Sequence, residues 1–304
     1  MIRGVVVSGT GGVWMVVEEG GARHEASLRG KLKQGAALKL AVGDEVELER
    51  GERDDAWTIG AILPRRSQLV RRAPGNRPTE RVVAANVDQV IVVFAAAQPE
   101  PHAAMLDRFL VIAEANELSA RIVINKVDLV GEDEARAMFQ LYADIGYPLH
   151  LTSARQRIGL GDLHEALLGV TSVLSGPSGV GKSSLMNTMY PTLDLRVGAI
   201  SESVNKGRHT TVGAFLHPLP DGGAVVDTPG LREVGMWGIA SSGLDACFVE
   251  FRALIPECRF GDCHHLAEPD CAVRAAVSAG DVSPARYENY RRLRGELEAA
   301  ERRW

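Results

Sequence analysis

The sequence is short of several things, and each shortage closes off a class of protein. It has only four cysteines in 304 residues, and 5% of its residues are aromatic. Its start, Met1 to Thr10, carries one arginine and too short an apolar run for a signal peptide. The cysteines therefore read as metal ligands or free thiols of a cytoplasmic protein rather than as disulfides. The longest apolar run, Val90–Ala97, falls far below the about 20 residues that span a bilayer, so no membrane partner is expected. There is no excess of positive charge: 34 Lys and Arg stand against 39 Asp and Glu, a net of −5, which excludes a global basic field for nucleic acid. No internal repeat or low-complexity tract interrupts the chain.

What is present is ordinary globular composition, 45% hydrophobic and 24% charged, in a length that suggests two or three domains. Charge is unevenly spread. Residues 1–81 hold 14 basic and 11 acidic side chains, and Arg65, Arg66, Arg71, Arg72, Arg77 and Arg81 fall close together with only Glu80 against them. Such a local strip is a candidate for phosphate contact, as are Lys31 and Lys33, and equally a solvated linker.

Five short stretches before residue 64, Val5–Ser8, Val13–Glu18, Arg23–Leu28, Glu45–Glu49 and Trp57–Leu63, show strand alternation with glycine-rich breaks between them. They predict a small closed β-barrel, an OB-fold or, as the alternative, an SH3-like barrel. Trp14 and Trp57 are its only large aromatics, which favours recognition of backbone and shape over base stacking. Residues 64–81, with three prolines and six arginines, read as a linker. Beyond it, buried strands (Asp88–Phe94, Arg121–Asn125, Val170–Ser175, Ala224–Asp227) alternate with helices (Leu106–Asn116, Ala135–Ile145, Lys182–Met189), the mark of a parallel sheet covered on both faces. A Cys/His-rich segment follows, and a charged helix starts near Pro284.

The chemistry is concentrated in four short motifs. Gly176-Pro177-Ser178-Gly179-Val180-Gly181-Lys182-Ser183, followed by Ser184, fits the phosphate loop G-x-x-x-x-G-K-[ST], after a strand and before a helix. Glycines turn backbone N–H groups inward around phosphate, Lys182 neutralises the β/γ oxygens, and the Ser183 hydroxyl suits Mg²⁺. Asp227-Thr228-Pro229-Gly230 follows a strand in turn; its carboxylate suits Mg²⁺ and the Gly230 N–H the γ-phosphate. Asn125-Lys126-Val127-Asp128 ends another strand, where the Asp128 carboxylate accepts the paired N1 and N2 donors that guanine offers and adenine lacks. Thr152-Ser153-Ala154 follows, with a backbone amide within reach of guanine O6. The order is reversed from that of ordinary GTPases: the base-reading motifs precede the phosphate motifs. One sheet accommodates this only if the chain is circularly permuted.

These motifs, with Leu28–Gly30, Val42–Asp44, Ala85–Gln89, Leu106–Leu110, Lys206–Thr211 and the Cys/His box, run the length of the chain. On them it resembles the ribosome small subunit-dependent GTPase A family. The resemblance implies an OB-fold barrel (1–72), a linker (73–84), a circularly permuted α/β GTPase domain (85–240) and a small, mainly helical zinc domain (241–304). It implies GTP and GDP with Mg²⁺ as ligands and a late role in assembly of the 30S small ribosomal subunit, whose 16S rRNA it binds as a monomer and which stimulates hydrolysis. By the same resemblance Lys206–Thr211 forms a switch in which Thr211 contacts Mg²⁺ and the γ-phosphate; the family's third threonine is Val212 here. Leu231 stands where a Ras-like GTPase orients water with glutamine, which makes His209 the candidate for that task, alongside Lys182 and Thr211 as catalytic residues. Cys258, Cys263, His265 and Cys271 supply three thiolates and an imidazole for one structural Zn²⁺. His264 adjoins His265, and family spacing favours the latter. Cys247, in an apolar stretch read as helical (Leu244–Leu254), is expected to be a buried core thiol. Two other readings remain: a nucleotide-stabilised RNA-binding scaffold with little turnover, against which Lys182, Ser183 and Asp227 speak, and a permuted GTPase of large-subunit assembly.

Overall fold

The computed structural model describes residues 2–29, 39–51, 56–72, 80–195, 214–228 and 239–302. The first five strands are β1 (Ile2–Thr10), β2 (Val13–Glu18), β3 (Arg23–Leu28), β4 (Glu45–Arg50) and β5 (Trp57–Ile62). Alternation works as expected: Val6, Val16, Leu48 and Ile59 point inward and are fully buried. The order β1-β2-β3-β5-β4, closed by β4 pairing with β1 and with β3 and β5 parallel, is a five-stranded Greek-key barrel of the OB kind. Trp14 and Trp57 pack partly buried against its interior, so neither forms an open stacking platform.

The stretch read as a linker is partly structured. β6 (Gln68–Arg72) and β7 (Glu80–Ala85) pair antiparallel as a two-stranded sheet, and Ala84 bridges back to Val42 beside the barrel. The reason lies in residues that a charge count hides: Leu69 and Ala84 are buried in the main core. Arg65 is not available to phosphate. Its guanidinium donates at 2.7 and 2.9 Å to the two carboxylate oxygens of the fully buried Asp44, and at 2.8 Å to the Lys39 carbonyl. Arg66 likewise pairs with Asp88. Lys31, Lys33 and Arg77 lie outside the described residues.

The central domain is a six-stranded sheet. Its elements in chain order are β8 (Gln89–Ala95), α1 (Ala103–Ala115), β9 (Ser119–Asn125), α2 (Glu132–Ile145), β10 (Leu149–Leu151), α3 (Leu160–Leu167), β11 (Thr171–Ser175), α4 (Lys182–Met189), β12 (Phe215–Pro218) and β13 (Ala224–Asp227). The spatial order is β10-β9-β8-β11-β13-β12, parallel except for β12 at the edge. β8 is buried along its whole length, which explains its unbroken apolar run. Separate cores fill the two faces, one built on Val92, Phe94, Leu106 and Leu110, the other on Ile91, Val93, Leu174 and Leu185. Because the strands are parallel, Asn125, Ala95, Ser175 and Asp227 all end at one rim, where ligands of open α/β sheets bind. Val7 of β1, with Met15 and Val17 of β2, packs into the same core as Leu216 of β12, seating the barrel on the sheet.

The C-terminal unit ends in α5 (Ala272–Ala279) and α6 (Pro284–Glu301). The stretch Leu244–Leu254, read as helical, is helical only in short 3₁₀ pieces and not as a continuous α-helix. It forms 3₁₀ turns at Asp245–Cys247 and Val249–Phe251, with Phe251 N–H bonded to the Phe248 carbonyl at 2.8 Å. A three-residue period puts Phe248 and Phe251 on one side, stacked at 5.2 Å between ring centres, in a core with Tyr290 and Leu293. Cys247 is buried in that core, 6% exposed, and burial pushes its thiol up to about 11. No helix among the described residues is long and apolar enough to cross a membrane.

Candidate nucleotide site and metal centre

At the rim, β11 runs straight into the phosphate loop and the loop into α4, whose N-terminus starts at Lys182 behind a left-handed Gly181. Two glycines here have physical necessity. At Gly176, with φ of +128°, a Cβ would lie 2.1 Å from the Val93 carbonyl oxygen; at Gly181, with φ of +94°, it would lie 2.4 Å from the Asn125 amide nitrogen. The amides of Ser178, Gly179, Val180 and Gly181 lie in the turn between the end of β11 and the first turn of α4. With the α4 dipole they form a nest of donors suited to an anion. Lys182 Nζ donates to the carbonyls of Gly176 and Pro177, each at 2.7 Å, so its ammonium lies over the same loop. Ser183 and Ser184 occupy the first turn of α4, half-buried. Asp227, at the end of β13, stands in register with Leu174, one residue before the strand reaches the loop.

The tetrapeptide Asn125–Asp128 is tied directly to this loop. Asn125 Nδ2 donates to the Val180 carbonyl at 2.9 Å, and Lys126 Nζ to the Gly179 carbonyl at 2.7 Å. Asn125 Oδ1 accepts from the Ala154 N–H at 3.1 Å, and the buried Val127 N–H bonds to the Thr152 carbonyl at 3.2 Å. Ser153 Oγ donates to Asp128 Oδ1 at 2.5 Å and itself accepts from the Gln156 N–H at 3.0 Å, which fixes the direction of the carboxylate. Thus Asn125, Lys126, Val127, Asp128, Ser153 and Ala154 lie in one cluster with the phosphate loop. His209, Thr211 and Gly230 lie outside the described residues. One contact had no signal in the sequence: Lys126 Nζ also bonds the Gln98 carbonyl, so the loop after β8 forms a further wall of the site.

The metal-ligand set also converges. One donor atom each from Cys258, Cys263, His265 and Cys271 lies within 4.8 Å of the others. The edges are 3.5 Å from Cys258 Sγ to His265 Nδ1, 3.4 Å from His265 Nδ1 to Cys271 Sγ, and 4.0 Å between the two sulfurs. Zn–S bonds of about 2.3 Å in a tetrahedron require sulfur spacings of about 3.8 Å, so the set fits zinc. His265 is fully buried and turned inward, while the neighbouring His264 is exposed. The second ring nitrogen of His265 meets Asp245 Oδ2 at 3.3 Å. Burial pushes Asp245 up, but the bonds from His265 and the Ala246 N–H outweigh it and hold the carboxyl below its ordinary value. Asp245 thereby orients the imidazole, a role no local motif announces. Burial also raises Cys258, yet the Ala272 and Val273 amides at the start of α5 outweigh it and favour the thiolate; burial drives Cys263 up to about 12.

The comparisons agree with this geometry. A family model described as RsgA GTPase matches residues 62–237. The small ribosomal subunit biogenesis GTPase RsgA of Gemmatimonas aurantiaca is 61% identical over 297 residues, 97% of each chain. The protein of that name from Azotobacter vinelandii is 44% identical over 85% of this chain and 75% of its own. Among solved structures, YjeQ from Thermotoga maritima superposes with a TM-score of 0.81 at 38% identity, covering 97% of this chain and 98% of that one. YloQ, described as a circularly permuted GTPase, gives 0.76 at 30% identity, covering 99% and 96%. The fold is that of a circularly permuted GTPase with an N-terminal barrel, and the chain belongs to the RsgA GTPase family.

Proposed function

We propose that this GTPase acts in maturation of the small ribosomal subunit, engaging 30S particles through 16S rRNA in its GTP form and leaving on hydrolysis, as a cytoplasmic monomer. The observation that carries the reading is the bond from the Asn125 amide to the Val180 carbonyl, which joins a guanine-reading segment to a phosphate-cradling one. The relatives' names supply the particle. In this reading Asp128 selects guanine, Ser153 aims it, and an Ala154-side amide meets O6. The amides of residues 178–181 hold the phosphates, and Lys182 draws negative charge off the β/γ oxygens as the terminal bond breaks. Ser183, Asp227 and Thr211 would hold Mg²⁺, which neutralises phosphate charge when bound. Gly230 senses the γ-phosphate, and His209 orients the attacking water, since Leu231 cannot. Cys258, Cys263, His265 and Cys271 would hold one Zn²⁺ that folds the knuckle. The division into barrel (1–72), connecting segment (73–84), GTPase domain (85–240) and zinc domain (241–304) belongs to the same proposal.

The test is phosphate release from GTP with and without purified small subunits. Stimulation by small subunits, absent with large ones and abolished in Lys182→Ala, is expected. No turnover in any condition would favour the nucleotide-stabilised scaffold instead.

A further inference from the structure

The loop between Cys258 and Cys271 displays two large apolar side chains, Phe260 at 40% and Leu266 at 37% exposure. A single apolar side chain in water needs no explanation. These two are held out by a backbone that is tied down on all sides. Glu268 accepts from the N–H groups of His264 and Leu266 at 2.8 Å and of Ala267 at 2.9 Å, which wraps the chain around Leu266. The Tyr287 and Tyr290 hydroxyls of α6 donate to the His265 and His264 carbonyls at 2.6 and 2.8 Å. His265 and Asp270 take left-handed φ of +57° and +54°, a conformation that persists only where the surroundings impose it. On the other limb, the Phe260 carbonyl accepts from the Cys263 N–H at 3.2 Å. The Arg259 N–H donates to the Asp270 carbonyl at 3.3 Å, and its guanidinium to the Asp270 carboxylate at 3.0 Å. Side chains displayed on an ordered backbone bind a partner with little further loss of freedom.

Charge decides which partner this face fits. Residues 257–270 hold Glu257, Asp262, Glu268 and Asp270 against Arg259 alone. Arg259 is matched by Asp270, while Glu257 and Asp262 stand exposed in the same loop as the apolar pair. Such a face repels RNA phosphate and attracts a basic protein segment. We propose that it docks a basic protein segment of the small ribosomal subunit, with Phe260 and Leu266 as anchors and Glu257 and Asp262 on the rim. This rests on the small-subunit reading given above and refines it, assigning the contact made by the metal loop to protein rather than to rRNA.

The experiment reads co-sedimentation of the full chain with purified small subunits in a non-hydrolysable GTP analogue. Phe260→Ser combined with Leu266→Ser should weaken binding about tenfold, the loss expected of anchor side chains, with GTP turnover in the absence of subunits within about twofold of the parent. Asp262→Lys tests the sign of the partner's charge. A basic segment predicts weaker binding, by about threefold or more at low salt, whereas RNA predicts tighter binding. Tighter binding, or no change in either variant, would overturn the proposal. Phe260→benzoylphenylalanine then reports the partner by photocrosslinking, to intact subunits and separately to the protein mixture extracted from them. A crosslink to a peptide rich in Lys and Arg is expected. A crosslink to RNA alone or to a second copy of this chain, or none at all, overturns the proposal. The extracted proteins keep the two readings apart: if the parent fails to sediment with small subunits, the small-subunit reading falls, and the crosslink to extracted proteins still decides this one.

Discussion

Asp128, the carboxylate proposed to read guanine, shows how little freedom a candidate site side chain keeps here. Asp128 is aimed by the Ser153 hydroxyl at 2.5 Å, and Ser153 is itself held by the Gln156 amide. Replacing Asp128 with Asn removes the charge and swaps an acceptor for a donor. GTP affinity should fall about 10- to 100-fold, the worth of a charge-assisted hydrogen bond pair, while xanthosine triphosphate gains. Unchanged preference in a competition titration would remove Asp128 from the base site. Glu268 is a second constrained carboxylate. Burial pushes it up, but its own N–H and those of His264, Leu266 and Ala267 outweigh that and hold it at about 2. A depressed carboxyl contributes stability above its ordinary value of 4.5, and that contribution drains away as pH falls toward about 2. Glu268→Gln should therefore be less stable than the parent near pH 6, with the gap narrowing toward pH 3. A gap independent of pH in urea titrations would rule this out. Neither the Ser153 contact nor the amides around Glu268 can be read from a motif, because each depends on a loop closing back on itself.

Among the elements, α1 carries the junction between the sheet and the C-terminal unit. Asp107, fully buried on α1, accepts from Arg286 of α6 at 2.6 Å and from the Tyr142 hydroxyl of α2 at 2.8 Å. Arg286, 1% exposed, also donates to both oxygens of Glu250 at 2.7 and 2.9 Å, with the Phe248 ring 4.6 Å from its guanidinium carbon. A buried pair is weak evidence of net stabilisation, but removing one partner leaves uncompensated charge. Arg286→Ala should cost about 3–5 kcal/mol and loosen residues beyond 239 first. Limited proteolysis during a urea series checks it, and loss confined to the barrel would contradict the assignment. Composition placed α6 correctly as a charged helix. What it could not convey is that Arg286 and Arg294 face inward while Arg291 and Arg292 face solvent. The 3₁₀ turns before the metal knuckle escaped for a related reason: apolar residues three apart fit either helix type until a core demands one.

For the molecule as a whole, the barrel is seated on the edge strand β12, which pairs antiparallel with β13 so that Phe215 stands opposite Asp227. The barrel thus packs against the strand whose sheet partner ends in Asp227. Co-sedimentation with small subunits should be stronger with a non-hydrolysable GTP analogue than with GDP, by about tenfold or more in apparent affinity. Equal retention with both nucleotides would detach subunit binding from nucleotide state. The amino-acid order alone was enough to nominate the residues of the site, because phosphate loops, guanine-reading tetrapeptides and thiolate–imidazole boxes are short, local and demanding of residue type. It was enough, too, for the alternation of strands and helices, since burial on both faces writes itself into apolar runs such as β8. Only folding in three dimensions decided the barrel's strand order, the burial of Arg65 against Asp44 and the service of Asp245 to His265. Each of these depends on groups far apart in the chain being desolvated together, and that cooperation leaves no local trace.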